Sequence, residues 1–145
     1  IKKTIEYQYV GGVRKKLSES YKIKYTPYFH REDGPAFQKW YDNGQKFNEI
    51  YYKWGKKHRE NEPASLEWYP NGQIKYIMYF IDGKCHREDG PAFEKFDING
   101  KVEECFFYLD FNKYEIEDWL EKLKEINSPY YEEQLLKYSA NKYNL

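Results

Sequence analysis

Three histidines recur in one setting: His30-Arg31-Glu32-Asp33, His58-Arg59-Glu60-Asn61 and His86-Arg87-Glu88-Asp89. Imidazole beside carboxylates is the raw material of a metal site or of general acid–base chemistry. Distance decides against a shared site. The histidines repeat every 28 residues. If each repeat is a hairpin of two strands, equivalent side chains lie roughly 10 Å apart, at about 4.8 Å per strand. Nitrogens bound to one zinc sit about 2 Å from it, so equivalent histidines of a regular array cannot meet on one ion. Within a repeat, His30, Glu32 and Asp33 could form a small site, but it would recur three times with no nucleophile or cleft assigned to it. The expectation is packing and hydrogen bonding for these residues, with no metal, no cofactor and no catalysis. Cys85 and Cys105 fall in different columns of the repeat, unlike a disulfide framework or a metal-spaced pair. They read as reduced thiols of a cytoplasmic protein. No phosphate loop, Cys-x-x-Cys, Gly-x-Ser-x-Gly or His-Glu-x-x-His pattern is present.

The elements that must position these residues follow from the same period. Pro35, Pro63 and Pro91 follow each His-Arg marker at a fixed offset, and Asn43-Gly44, Asn71-Gly72 and Asn99-Gly100 follow each proline. Two markers in one register signal a repeat architecture. The full repeats are 30–57, 58–85 and 86–113, each with a corner, a strand, an Asn-Gly turn and a second strand. Asn-Gly suits a two-residue type I′ turn, whose central residues need positive φ. Proline biases the residue before it to extended geometry, so the marker reads as a rigid corner, with Arg and Glu as local ion pairs. Period-two alternation places Ala36 and Trp40 on one face and Phe37 and Tyr41 on the other. The Ala–Trp face repeats better, as Ala64–Trp68 and Ala92–Phe96, and is assigned to the core. In the second strand Ile50, Met78 and Phe106 share a column, as do Tyr52, Phe80 and Tyr108, on a face supported by Ile74 and Val102. The opposite face carries Tyr51, Tyr79 and Phe107. The predicted fold is mainly β: an elongated antiparallel sheet of repeated hairpins.

Both ends depart from the pattern, as terminal repeats do. Residues 1–29 form a degenerate opening repeat, with strands on either side of Gly11-Gly12. Seven Lys and Arg against two Glu make it locally basic, which suits an edge strand guarded against aggregation or the dock of an acidic partner. From 114 to 145 helical spacing takes over. Ile116, Trp119, Leu120, Leu123 and Ile126 mark an amphipathic face, and Ser128-Pro129 starts a second, shorter helix with an apolar stripe of Tyr131, Leu135 and Tyr138. This is a helical cap on a single domain.

The 145 residues hold 24 Lys and Arg against 24 Asp and Glu, so no overall field draws nucleic acid or anionic membrane. No apolar run approaches the roughly 18 residues of a membrane span, and no charged-then-apolar leader is visible. The 17 Tyr, 9 Phe and 4 Trp favour strands.

At Tyr41-Asp42-Asn43-Gly44, Tyr69-Pro70-Asn71-Gly72 and the His-Arg-Glu-Asp-Gly-Pro-Ala corners, the chain resembles MORN-like variant repeats. Similar repeats occur in phage and mobile-element proteins and in a class of bacterial antitoxins. The resemblance covers 30–113 well, 1–29 loosely and the tail hardly at all. It implies a hairpin scaffold that binds another protein, and it carries over no catalytic residue. The expected function is inhibition of a host defence or toxin enzyme, with an antitoxin or immunity role as the close alternative and a single-stranded nucleic-acid binder as the distant one. Candidate contacts are Tyr51, Tyr79 and Phe107, with Tyr41 and Tyr69 beside them. An edge strand could also join two copies of the chain.

Overall fold

A computed structural model describes residues 1–143. Its main element is a nine-stranded antiparallel sheet in which hydrogen-bonded neighbours follow chain order. A long hairpin opens it, β1 (Lys2–Val10) and β2 (Val13–Lys22), closed by Gly11 and Gly12 at φ 58° and 79°. Three repeat hairpins follow: β3 (Phe37–Trp40) with β4 (Lys46–Ile50), β7 (Ser65–Trp68) with β8 (Ile74–Met78), and β11 (Phe93–Phe96) with β12 (Val102–Leu109). The expected mainly β array of hairpins is the observed fold.

Between these hairpins the chain makes a second tier that the reading of one hairpin per repeat left out. β5 (Tyr52–Lys53) pairs with β6 (Lys56–Lys57), and β9 (Phe80–Ile81) with β10 (Lys84–Cys85). In the last repeat β12 runs on unbroken to pair with β13 (Asn112–Tyr114). The tier is tied together by main-chain bonds from Gly55 N to Phe29 O (2.9 Å), Gly83 N to Lys57 O (2.8 Å) and Phe111 N to Cys85 O (3.0 Å).

Besides Gly11-Gly12, the two-residue turns with positive φ at both positions are in this tier, at Trp54-Gly55, Asp82-Gly83 and Asp110-Phe111. The Asn-Gly turns differ from the type I′ expectation. Only their glycines have positive φ, Gly44 at 87° and Gly72 at 86°. Gly44 N donates to Tyr41 O and Tyr41 N to Gln45 O, the pattern of a three-residue loop closed by a left-handed glycine. The asparagine instead accepts, through its side chain, the N–H two residues on.

A bulge follows each of these turns. Lys39 opposes Asn48 while Trp40 opposes Lys46, which leaves Phe47 as the extra residue; Lys75 and Glu103 are extra in the next two repeats. One inserted residue reverses the alternation of side chains along the strand. Two face assignments are therefore corrected. Ile74 lies across from Trp68 and Val102 across from Phe96, on the face opposite Met78 and Phe106. Ile50, Met78 and Phe106 pair with Phe37, Ser65 and Phe93, so they share the Phe37 face and not that of Ala36.

The alanine face is the better packed one. Ala36, Ala64 and Ala92 are fully buried, and each lies between two large rings. The register gives the row Tyr21–Ala36–Tyr51–Ala64–Tyr79–Ala92–Phe107, large and small in alternation. Rings on neighbouring strands would crowd at about 5 Å spacing, and an alanine between them leaves each ring its room.

Two helices close the C-terminal end: α1 (Ile116–Glu125) and α2 (Tyr131–Tyr143). Trp119, Leu120 and Leu123 are buried with Leu109, and Phe107, Tyr131, Leu135 and Tyr138 pack around them. Ser128 Oγ accepts the Tyr130 N–H at 3.2 Å, the cap expected before Pro129. The second helix is the longer one, 13 residues against 10, and Ile126 is exposed beyond the end of α1. Asn144 and Leu145 of the expected cap lie outside the described residues.

Candidate functional site

The repeated corner holds its histidine and arginine side chains in fixed contacts. His30 Nδ1 accepts the main-chain N–H of Trp54 at 3.2 Å, His58 Nδ1 that of Asp82 at 3.1 Å, and His86 Nδ1 that of Asp110 at 3.2 Å. Each histidine thus holds the second-tier turn of its own repeat. The opposite ring nitrogen faces the marker carboxylate, Glu32 at 3.7 Å, Glu60 at 3.8 Å and Glu88 at 3.4 Å. Among the described residues no group of three His, Cys, Asp or Glu is arranged to hold a metal ion.

The arginines do not pair with those glutamates. Arg31 Nε donates to Asp33 at 2.8 Å and Arg87 Nε to Asp89 at 2.7 Å. Arg59 pairs with Glu62, which stands in the column of Gly34 and Gly90. The glycines have a steric reason: a Cβ at Gly34 would stand 3.1 Å from the Arg31 guanidinium carbon. Each arginine also reaches the carbonyl of its own proline, Pro35, Pro63 or Pro91. Its flat face lies over a tyrosine of the ladder: Arg31 over Tyr21 (4.2 Å), Arg59 over Tyr51 and Arg87 over Tyr79 (3.9 Å each). Such stacking contributes about 0.5–2 kcal/mol per pair.

The expected contact residues are thereby located. Tyr51 and Tyr79 are half-buried ladder rings beneath arginines, and burial pushes their hydroxyls above the usual tyrosine range. Tyr41 and Tyr69 reach forward one repeat and donate to Trp68 O (2.7 Å) and Phe96 O (3.0 Å). Phe107 lies against Trp119, with ring centres 4.7 Å apart. Tyr51, Tyr79 and Phe107 stand in the ladder, with Phe107 against Trp119 of the cap, while Tyr41 and Tyr69 belong to the turn row, so the five do not form one patch.

Between successive corners run grooves. One of about 560 Å³ is lined by Arg31, Asp33, Tyr51, His58, Arg59 and Glu60, and carries both signs of charge. A larger one, about 770 Å³, lies at the open end of the array among Lys2, Thr4, Lys22, Lys24 and Tyr25. Its lining contains three lysines and no carboxylate.

The residues that reasoning from sequence missed are aromatic turn tips. Tyr25 is fully exposed at φ 63°, Trp54 is 63% exposed at φ 51°, and Phe111 is 62% exposed at φ 78°. A signal was present, because Trp54-Gly55 stands in the column of Asp82-Gly83, an ordinary turn pair.

Cys85 and Cys105 are free thiols. Burial pushes the Cys85 thiol to about 11, partly offset by Lys57, so it is a packed side chain and a poor nucleophile at neutral pH.

No family model, no curated protein and no solved structure matches the chain.

Proposed function

We propose that this chain is a non-catalytic, MORN-like repeat scaffold that works by binding another protein. The observation that carries the reading is an apolar row on one sheet face that stays half-buried. Phe37, Ile50, Met78, Phe93 and Phe106 form a row on the face opposite the alanines, and all stay only half-buried. Its contacts are local: Phe29 meets Phe37 edge-on (5.8 Å), Met78 packs with Phe80, and Lys113 lies over Phe106 (3.5 Å), while the described helices cluster with Phe107 and Leu109. An apolar strip with polar margins suits a protein interface, where a few aromatic anchors dominate the energy. The histidines and arginines of the corners already hold turns and rings in place, which gives them structural work without a reaction. Following the repeat resemblance, the proposed setting is a phage or mobile-element protein that inhibits a host defence or toxin enzyme in the cytoplasm; an antitoxin uses the same physics.

The test is reconstitution. Candidates captured from a host lysate are purified, and each is mixed with the chain and run by sedimentation. A defined complex that weakens with Phe93→Ser or Met78→Ser supports the reading. Failure of every purified candidate to form a complex overturns it.

A further inference from the structure

We propose that the basic end of the array, at Tyr25, Tyr28 and Trp54, docks an acidic, extended protein segment. The inference rests on the protein-binding reading and specifies its partner. Three observations converge on it.

The first is backbone strain at the tips. Left-handed φ is costly for a bulky side chain, by about 1–3 kcal/mol, and such residues gather where function holds them. The sister tip Asp82-Gly83 shows the cheap solution at φ 48° and 85°. Trp54 adopts the same geometry, at φ 51°, with an indole left mostly in solvent. Tyr25, in a different loop, is also left-handed at φ 63°. Neither ring is there to fill a core.

The second is that these rings are neighbours on a fixed platform. The Trp54 indole stacks on His30 with centres 4.3 Å apart, and the His30 ring is buried. Tyr28 lies against Gly55, where a Cβ would come within 2.7 Å of its ring. Gly55 N bonds Phe29 O, and Ile23 N bonds Tyr28 O, which closes the loop carrying Tyr25. Rigid aromatics on a held backbone lose little entropy on binding.

The third is charge. The adjoining groove of about 770 Å³ holds Lys2, Lys22 and Lys24 with no carboxylate. Along the chain, residues 1–29 carry seven basic against two acidic side chains, and residues 86–145 carry fourteen acidic against eight basic. The molecule is neutral overall and polarised end to end, so the tips face a positive field that favours an anionic partner. A protein segment fits better than nucleic acid because Lys2 and Thr4 belong to β1, which pairs on one side only, with β2. An extended peptide can complete that open edge with main-chain hydrogen bonds. A phosphate backbone has no such N–H and C=O groups to offer that edge, and beside Trp54 the carboxylate of Asp33 is taken up by Arg31.

The test uses a labelled peptide of nine residues, the length of β1, alternating glutamate with valine. Its Lys–Val counterpart and a short oligothymidine serve as rivals. The glutamate peptide should bind best, and binding should weaken on adding salt. Trp54→Asp, which copies the sister tip, should lower affinity about tenfold while the melting temperature holds or rises. Should loss of the stack on His30 lower the melting temperature, Tyr25→Gly carries the test, because that ring is fully exposed. Phe111→Gly at the acidic end should leave binding unchanged. Equal binding of both peptides, tighter binding of oligothymidine, or unchanged affinity in both tip variants each overturns the proposal. So does head-to-tail self-association that blocks the peptide. A reconstituted partner that still binds the tip variants sinks this location and leaves the protein-binding reading standing; the absence of any partner removes both.

Discussion

The two ends of the array are closed in opposite ways. At the C-terminal end an apolar plug does the work: Trp119 and Leu123 are buried almost completely, Leu109 and Leu120 nearly so, and α2 packs over them. At the N-terminal end none of the described helices covers β1, and the face is finished with charge. Glu19, buried within β2, takes Lys3 at 2.8 Å, Lys16 and the Tyr21 hydroxyl. The Tyr7 ring is covered by Arg14 at 3.7 Å, and Lys16 lies over Trp40 at 4.3 Å. A plug of hydrocarbon ends the sheet, whereas cations over rings leave its other end open to add a strand. The difference implies that the C-terminal end contributes stability and the N-terminal end is the one left accessible.

The largest effect should come from removing the plug. Trp119→Ala deletes a fully buried indole and should cost about 3–5 kcal/mol, read as a drop in the denaturation midpoint. Hydrogen exchange should show α1 and α2 released while β1 and β2 stay protected. Equal loss of protection at both ends would mean that the array unfolds as one unit and would end the distinction drawn here.

The charged end makes a pH prediction. Burial alone would raise the Glu19 carboxyl, but hydrogen bonds from Lys16, Lys3 and Tyr21 outweigh it and hold the group at about 2, against an ordinary value of 4.5. The folded value is the lower one, so this stabilisation is complete above about pH 4.5 and is lost as pH falls through 2. Its size is on the order of 3 kcal/mol at most. Glu19→Gln should therefore lower stability at neutral pH and flatten the acid limb of the stability curve. An unchanged acid limb would show that β1 is held by something other than this carboxylate.

Between the ends, the ladder should respond to volume. Ala64 lies between Tyr51 and Tyr79 and is fully buried. Ala64→Leu should cost about 1–3 kcal/mol by overpacking, in contrast to Trp119→Ala, which costs through a cavity. Thermal denaturation distinguishes the two if Ala64→Ser, which adds little bulk, is milder than Ala64→Leu.

What the sequence revealed of this arrangement depended on how local the cause was. The period, the hairpins, the Gly11-Gly12 turn and the Trp119–Leu123 stripe were legible because residues close in the chain determine them. Which face Ile74 or Met78 occupies was not, because one bulge residue after each turn reverses the alternation. The role of the repeated alanine was also hidden, since its partners are tyrosines on two neighbouring strands. The arginines looked like partners of the adjacent glutamates, yet a two-residue offset to Asp33 or Asp89 suits their geometry better and frees the guanidinium to lie on a ring. The exposed tips were the least visible. Trp54 counts as one more strand-forming aromatic until the second-tier turn is known, and only then does its left-handed backbone stand out.

The smallest effect concerns the row of Asn-Gly turns, and it explains why the third repeat breaks its own pattern. Tyr41 and Tyr69 each donate to a carbonyl just before the next repeat's turn. Asn43 and Asn71 reach the same turns at Pro70 O and Ile98 O. Asp97 stands where a third tyrosine is expected, and no further repeat hairpin follows to accept its bond. Its carboxylate instead accepts the N–H groups of Asn99 (2.8 Å) and Lys101 (2.9 Å), which hold it below the usual aspartate range. Tyr69→Phe should thus cost about 0.5–1.5 kcal/mol, the worth of one hydrogen bond with its acceptor left in place. Asp97→Tyr should gain nothing, since the new hydroxyl would point past the last turn. If Asp97→Tyr proves stabilising by chemical denaturation, the forward bond is not the reason for the column, and ring burial within each repeat has to take its place.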